Sequence, residues 1–268
     1  MSDPPIMPTQ CGTPPDPWRL LSRFTAARIG LGRAGASLPT TAQLAFQLDH
    51  ARARDAVLRE LDSGAVENQL GRLNLSCLCL NSAAADRATF IARPDLGRML
   101  DADSAARLAR LPERGTAGDV AFVIADGLSA LAVEKHAASL LAVLLPRLAG
   151  AAWSLAPICI VRQGRVAVAD HIGELLGARL AVILIGERPG LSSPDSLGIY
   201  LTWNPVRGCS NALRNCISNV REPGGLTYAE AAHKLFHLMA GMRRHRVSGV
   251  MLKEDAPAYL AVSPTLVP

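Results

Sequence analysis

The sequence has 268 residues, enough for one large domain or two small ones. Hydrophobic residues make up 49% of the chain and aromatic residues only 4%, which favours a core that is rich in helices or of the α/β class. The formal net charge is +5, from 28 basic and 23 acidic residues. No tract of lysine and arginine with interleaved aromatic residues occurs, so we expect no nucleic-acid partner. An acidic protein partner or an anionic ligand would suit the charge equally well.

The N-terminal segment, residues 1–16, is rich in proline and predicts a flexible tail without the apolar core of a secretory signal. The longest apolar stretch, residues 148–161, is too short for a membrane span and contains Pro157. These features predict a cytoplasmic protein without membrane contact. The six cysteines form no CxxC pair and no zinc-type quartet, which favours reduced thiols that pack as small apolar side chains.

Residues 17–112 predict a small, mainly helical domain that begins with a basic docking arm. The stretch WRLLSRFTAARIGLGRAG, residues 18–35, interleaves apolar residues with arginine and predicts an amphipathic helix that ends near Gly30 or Gly32. Two interpretations stay open for this helix. It packs on its own domain, or it docks onto a partner that carries acidic patches.

A second helix is predicted from residue 40 to a stop at Gly64. Thr40 and Gln43 have the spacing of a capping box. One apolar face at helical spacing is expected to pack inward, and its members are Leu44, Leu48, Ala51, Leu58 and Leu61.

Residues 113–268 predict a Rossmann-like domain, because apolar strands alternate with helices from residue 118 onward. The strands are continuously apolar, which is typical of a doubly wound parallel sheet that is covered on both faces. They lie within residues 120–125, 155–164, 179–190 and 197–203. A final helix begins at a capping box of Thr227 and Glu230. The expected fold class is therefore α/β, with a small helical N-terminal domain and a doubly wound sheet.

Polar loops follow three of these strands, at the edge where open parallel sheets bind ligands. The loops read ADGLSA, RQGRVAVAD and GERPG. In the last loop, Glu187 and Arg188 follow the most apolar strand, and Pro189 and Gly190 restrict the backbone. Asp126 and Glu187 could in principle form an acid–base pair there. The sequence thus indicates a ligand crevice.

The motifs of common catalytic sites are absent from the sequence. It contains no GxGxxG after the first strand, no GxxxxGK[ST] and no GxSxG. His233 and His237 are one helical turn apart, but Lys234 stands where a zinc protease has glutamate and no third ligand is evident. That pattern favours a solvated helix face, so we expect no metal site and no catalytic residue in this chain.

Four stretches together resemble the small (light) subunit family of ethanolamine ammonia-lyase, over residues 16–255. They are DPWRLLSRFTAARIGLGRAGASLPT, VAFVIADGLSA, GERPGLSSPDSLGIYLTW and CISNVREPGGLTYAEAA. The resemblance implies an adenosylcobalamin-dependent lyase that converts ethanolamine to acetaldehyde and ammonia by a radical mechanism. It also implies a large (heavy) subunit that holds the substrate, a hetero-oligomer of heterodimers with cobalamin between the subunits, and a location within a bacterial microcompartment.

Carried over residue by residue, the resemblance implies three cofactor-binding positions: Val166, Glu187 and Cys216. Many cobalamin domains carry DxHxxG, whose histidine binds cobalt. Here His171 follows Asp170 directly, so we expect cobalt to keep the cofactor's own dimethylbenzimidazole ligand. Arg188 could serve the ligand or pair with a carboxylate of the large subunit. The alternatives are a free-standing Rossmann-like small-molecule binder and a structural protein of an enzyme-filled bacterial compartment.

Overall fold

The computed structural model describes residues 16–25, 27–111, 118–253 and 259, so the predicted tail lies outside the described residues except for Asp16. The strands are β1 Cys77–Asn81, β2 Val120–Ala125, β3 Ile158–Arg162, β4 Leu180–Gly186, β5 Leu197–Trp203 and β6 Arg214–Val220. The helices are α1 Thr40–Leu58, α2 Ser63–Gly71, α3 Arg87–Ala92, α4 Ala102–Ala109, α5 Ala130–Gly150, α6 Val168–Leu176 and α7 Tyr228–His245. Within these residues no helix is both long and apolar enough to cross a membrane.

The strands form one six-stranded sheet in the order β1-β3-β2-β4-β5-β6. The first four are parallel, whereas β5 and β6 run antiparallel to their neighbours. The α/β class and the mainly parallel sheet are thus confirmed. The antiparallel end departs from the predicted all-parallel sheet because residues 187–196 connect β4 to β5 without a helix, and a parallel crossover usually needs one.

Strand β1 belongs to the range that was predicted as the helical N-terminal domain. It pairs in parallel with β3, with Cys77 opposite Ile158 and Asn81 opposite Arg162. The N-terminal range therefore supplies the edge strand of the sheet in addition to four helices. The predicted division at residue 112 stays a prediction, because residues 112–117 lie outside the described part of the chain.

Helices cover both faces of the sheet. Successive side chains of a strand point to opposite faces, so a strand that is buried throughout needs a cover on each face. All six residues of β2 are buried. Phe122 and Ile124 pack on the side of α2, α5 and α7, whereas Ala121 and Val123 pack on the side of α4 and α6. Burial of a side chain such as Phe122 stabilises the fold by about 1.5–3 kcal/mol. The apolar strands therefore fix the sheet at the centre of the domain.

The N-terminal arm differs from its prediction. It forms a short 3-10 helix, Pro17–Arg23, with Asp16 accepting from the backbone N–H of Trp18, and not a helix that reaches Gly30. Arg28 pairs with Asp49 and lies over the ring of Phe46, so the arm rests on α1.

Helix α1 begins as predicted at Thr40 but ends at Leu58, before the expected stop at Gly64. The predicted capping box is wrong, because Pro39 is the N-cap and Thr40 is already inside the helix. The prediction that the apolar face of α1 packs inward is also wrong, because Leu44, Leu48 and Leu58 on that face are exposed in this chain. Leu61 is buried, but it lies beyond the helix end.

The last helix, α7, begins as the sequence predicts. The side chain of Thr227 accepts from the N–H of Glu230 at 3.2 Å, and the carboxylate of Glu230 accepts from the N–H of Thr227 at 2.9 Å. This reciprocal capping box satisfies two backbone donors that would otherwise lack partners. The helix then packs along α5 on one face of the sheet.

Candidate ligand site at the carboxyl ends of the strands

The topological switch point of the sheet lies between β2 and β3, because β2 leads into α5 on one face and β3 leads into α6 on the other. Doubly wound folds usually bind their ligand in this crevice. Here it is filled by the chain itself. Asp126 accepts from the N–H groups of Gln163 and Gly164, each at 2.9 Å, and Arg87 lies 3.4 Å from the same carboxylate.

This internal ion pair is sealed from solvent. Asp126 is 0% exposed, and burial raises its pKa to about 6 although the guanidinium of Arg87 and the backbone donors act in the opposite direction. Burial also lowers the pKa of Arg87. The carboxylate therefore closes the switch point as part of the core. An acid–base pair of Asp126 with Glu187 does not form, since each carboxylate is held by other donors.

An open cavity of about 390 Å³ lies beside the closed switch point, where the loops after β2, β3 and β4 meet. Two of the three predicted cofactor positions, Val166 and Glu187, line it. The third, Cys216, lies on β6 directly opposite Tyr200, which lines the cavity as well. The full lining is Gly127, Leu128, Arg165, Val166, Ile185, Gly186, Glu187, Arg188 and Tyr200.

The floor of the cavity depends on glycine. Gly127 has a φ of +54°, and a Cβ atom built on it would lie 2.3 Å from the carbonyl oxygen of Gly186. A contact of that length excludes a side chain, and the left-handed backbone favours glycine in addition. The loop after β2 can therefore press against the end of β4, and backbone rather than side chains forms this part of the wall.

Glu187 is held by its own chain. Its carboxylate accepts from the hydroxyls of Ser196 and Ser218, each at 2.5 Å, and from the backbone N–H of Asn219 at 3.1 Å. The residue is only partly exposed. The negative charge that the sequence places at the strand exit is thus already stabilised by three donors.

Tyr200 and Cys216 form a neutral pair across β5 and β6. Shielding from water raises the pKa of Tyr200, and the nearby Cys216 and Glu187 raise it further. Partial burial, with Glu187, raises the pKa of the Cys216 thiol against a hydrogen bond from Tyr200, although the residue keeps an exposed surface. A thiol with a raised pKa is a poor nucleophile, so Cys216 offers a soft, uncharged contact.

Two arginines give the cavity a positive rim. Arg165 lies 4.0 Å over the ring of Phe90 and donates to the carbonyl oxygen of Phe90 at 3.1 Å, and burial lowers its pKa. Arg188 is exposed. Neither Arg165 nor Tyr200 belongs to a motif that would single it out from the sequence. Arg165 adjoins Val166 in the loop after β3, but the position of Tyr200 follows only from the register of β5.

Two side chains that could bind a metal, those of Asp170 and His171, are engaged by their own chain. The side chain of His171 accepts from the N–H of Leu100 at 3.2 Å, and burial lowers its pKa. Asp170 forms a buried ion pair with Arg214. Among the residues whose placement is described, no group of three or more histidine, cysteine, aspartate and glutamate side chains could hold a metal ion.

Comparison with known proteins assigns the family. The family model of the ethanolamine ammonia-lyase light chain (EutC) matches residues 15–253. The chain belongs to this family. The small subunit of ethanolamine ammonia-lyase from Azotobacter vinelandii is 61% identical over 242 residues, which cover 90% of this chain and 89% of the relative. The small subunit from Ralstonia nicotianae is 57% identical over 246 residues, or 91% of each chain.

A third relative, the small subunit from Pseudomonas fluorescens SBW25, is 52% identical over 257 residues, which cover 96% of this chain and 91% of the relative. Membership makes the chain a small subunit of ethanolamine ammonia-lyase, which is a lyase, and implies a larger partner subunit. The resemblance stated from the four sequence stretches is confirmed.

Proposed function

We propose that this chain forms one wall of an adenosylcobalamin site, and that the large subunit forms the opposite wall and holds ethanolamine. The observation that carries this proposal is the cavity at the strand ends, which brings Val166 and Glu187 together beside Cys216. Its volume of about 390 Å³ is near the lower end of the roughly 300–1,000 Å³ typical of pockets for drug-sized ligands. A corrin with its side arms is larger than such a ligand, so a shared site is expected.

The lining fits part of a corrin. The ring is a broad apolar disc with amide arms, and Val166, Ile185 and the Tyr200 ring offer apolar contacts. The guanidinium groups of Arg165 and Arg188 offer donors to amide oxygens at the rim. The glycine floor lets backbone approach a flat ligand closely. Val166, Glu187 and Cys216 remain our proposed cofactor-binding residues.

The chain's own part in the reaction is to hold the cofactor and to shield it from water. When bound, adenosylcobalamin supplies the radical chemistry that the lyase reaction needs. The side chains of this cavity orient the ring and keep water away from it. His171 is committed to the backbone of Leu100, which supports our expectation that cobalt keeps its dimethylbenzimidazole ligand.

The exposed apolar surface of the N-terminal part supports an interface with the large subunit. Trp18 and Phe24 are 66% and 86% exposed, and Leu44 and Leu48 of α1 are exposed as well. Several large apolar side chains exposed in one part of a chain are typical of an interaction surface. We propose that the arm and α1 dock onto the large subunit. A hetero-oligomer of heterodimers in the cytoplasm, within a bacterial microcompartment, is an expectation that rests on the family resemblance alone.

Reconstitution tests the proposal. The purified chain alone should convert no ethanolamine, and activity should appear only when the large subunit and adenosylcobalamin are both added. Release of acetaldehyde is the readout. Turnover by this chain without the large subunit, or by the two subunits without cobalamin, would contradict the assignment.

A further inference from the structure

We infer that Glu187 acts chiefly as a brace that fixes a β-bulge in β6 beside the cofactor wall, and that Ser196 and Ser218 are positioning residues for that wall. The inference rests on the proposed cobalamin site. It changes the role of Glu187 from a free acceptor for the ligand to a group that shapes the strand carrying Cys216. Four observations support it.

The first observation is the number of acceptor sites in use. An ionised carboxylate offers about four lone-pair sites. Oε2 of Glu187 accepts from Ser196 and from the N–H of Asn219, and Oε1 accepts from Ser218. One site on Oε1 remains, so Glu187 can accept at most one further hydrogen bond from a ligand while it serves these three donors.

The second observation is the bulge itself. In the pairing of β5 with β6, Leu197 faces Val220 but Ile199 faces Ile217, so β6 carries one extra residue in this interval. Asn219, within the bulge, has a φ of +61°. A bulge leaves a backbone group without a ladder partner and re-aims the neighbouring side chains. Here the N–H of Asn219 finds its acceptor in Glu187.

The third observation is a slot in β5 that admits the carboxylate. A Cβ atom built on Gly198 would lie 3.0 Å from both Cγ and Oε1 of Glu187. Glycine at this position lets the side chain cross the middle strand, from the end of β4 to the bulge in β6. The side chain thereby joins the ends of three antiparallel neighbours, β4, β5 and β6.

The fourth observation is that the two serines do not line the cavity. Ser196 is buried just before β5, and Ser218 lies on β6 two residues after Cys216. An effect of the buried Ser196 hydroxyl on cobalamin therefore has to pass through Glu187 and the bulge, whereas Ser218 is exposed on the strand that carries Cys216. The Ser196 variant is thus the decisive one. Such an effect separates positioning from direct ligand contact.

Two measurements on Ser218→Ala and Ser196→Ala test the inference. Loss of one hydrogen bond to a charged group should accelerate hydrogen exchange of the Asn219 amide and of the peptide over residues 214–220 by roughly tenfold in the full chain. In the complex with the large subunit, the Kd for hydroxocobalamin, followed by visible absorbance, should rise by a similar factor. Ser218→Thr keeps the hydroxyl and should restore both values.

Ser192→Ala is the matched control, because it removes an exposed hydroxyl from the same loop outside the brace. It should leave exchange and affinity unchanged. If both serine variants exchange and bind as the wild type does, the brace is refuted. Faster exchange with unchanged affinity would also overturn the positioning role. If the wild-type complex itself binds no hydroxocobalamin, the proposed function fails, and exchange alone then decides whether the brace exists.

Discussion

Replacement of Arg87 by methionine tests the closed switch point most sharply. The change keeps much of the side chain's length but leaves Asp126 buried without its counter-charge. Removing one partner of a buried ion pair typically costs about 3–5 kcal/mol of unfolding free energy. Arg87 also donates to the carbonyl oxygen of Val57 at 2.7 Å, and that bond is lost too. We therefore expect a loss of about 3–5 kcal/mol at pH 8.

The loss should depend on pH in a defined direction. In the wild type the pKa of Asp126 is raised from 3.8 to about 6, so folding favours its protonated form. The stabilisation that folding gains from protonated Asp126 is fully present below 3.8, the pKa of this group in the unfolded chain. About 3 kcal/mol of stability is lost as the pH rises from there through 6. Without Arg87 the pKa of Asp126 rises further, so the variant continues to lose stability above pH 6. The difference between variant and wild type should thus be smaller at pH 5.5 than at pH 8.

Urea unfolding followed by far-ultraviolet circular dichroism at both pH values measures this difference. Arg93→Met is the control, because Arg93 pairs with Asp95 on the surface, where water screens the ion pair. An equal destabilisation of Arg87→Met at pH 5.5 and pH 8 would refute the electrostatic reasoning. A cost within the range of the control would show that the pair does not close the crevice.

Three further changes probe other parts of the chain. In urea unfolding, Gly127→Ala should destabilise the fold by at least about 2 kcal/mol more than Gly35→Ala. Both glycines have a positive φ, but a Cβ atom clashes with backbone only at Gly127. Equal costs would contradict the close packing of Gly127 against the end of β4. Tyr200→Phe should raise the pKa of Cys216 and slow its alkylation by iodoacetamide at pH 8; a faster reaction would contradict the hydrogen bond. Deletion of residues 1–33 should impair assembly with the large subunit in size-exclusion chromatography while the Kd for hydroxocobalamin of assembled complex stays unchanged; normal assembly would contradict the docking arm.

Continuous apolar runs made the central strands predictable. β2 and β4 are buried throughout, and such strands have few alternatives to the middle of a covered sheet. β6 was not predicted, because its sequence RNCISNV is mostly polar, as suits a strand that is only partly buried, and because its pairing depends on the bulge. The direction of β5 could have been inferred from the short connection after β4, which has no room for a crossover helix.

The site was only partly predictable, because its hydrogen bonds join residues that are distant in the sequence. The sequence places Glu187 at a strand exit, but its three donors come from positions up to 32 residues away, so its bonding depends on the fold. The pairing of Asp126 with Arg87 is similarly distant. The face of α1 shows the converse limit, because helical spacing identifies an apolar face without saying whether this chain or a partner covers it.

The binding of hydroxocobalamin by the assembled complex tests the central claim most directly. We expect the complex to bind it, and Glu187→Ala to raise the Kd by about ten- to a hundredfold, through loss of one charged hydrogen bond to the ligand and of the bulge that Glu187 holds. Glu67→Ala, on α2 and outside the cavity, should bind as the wild type does. A Glu187→Ala complex with wild-type affinity would contradict the placement of cobalamin against this wall.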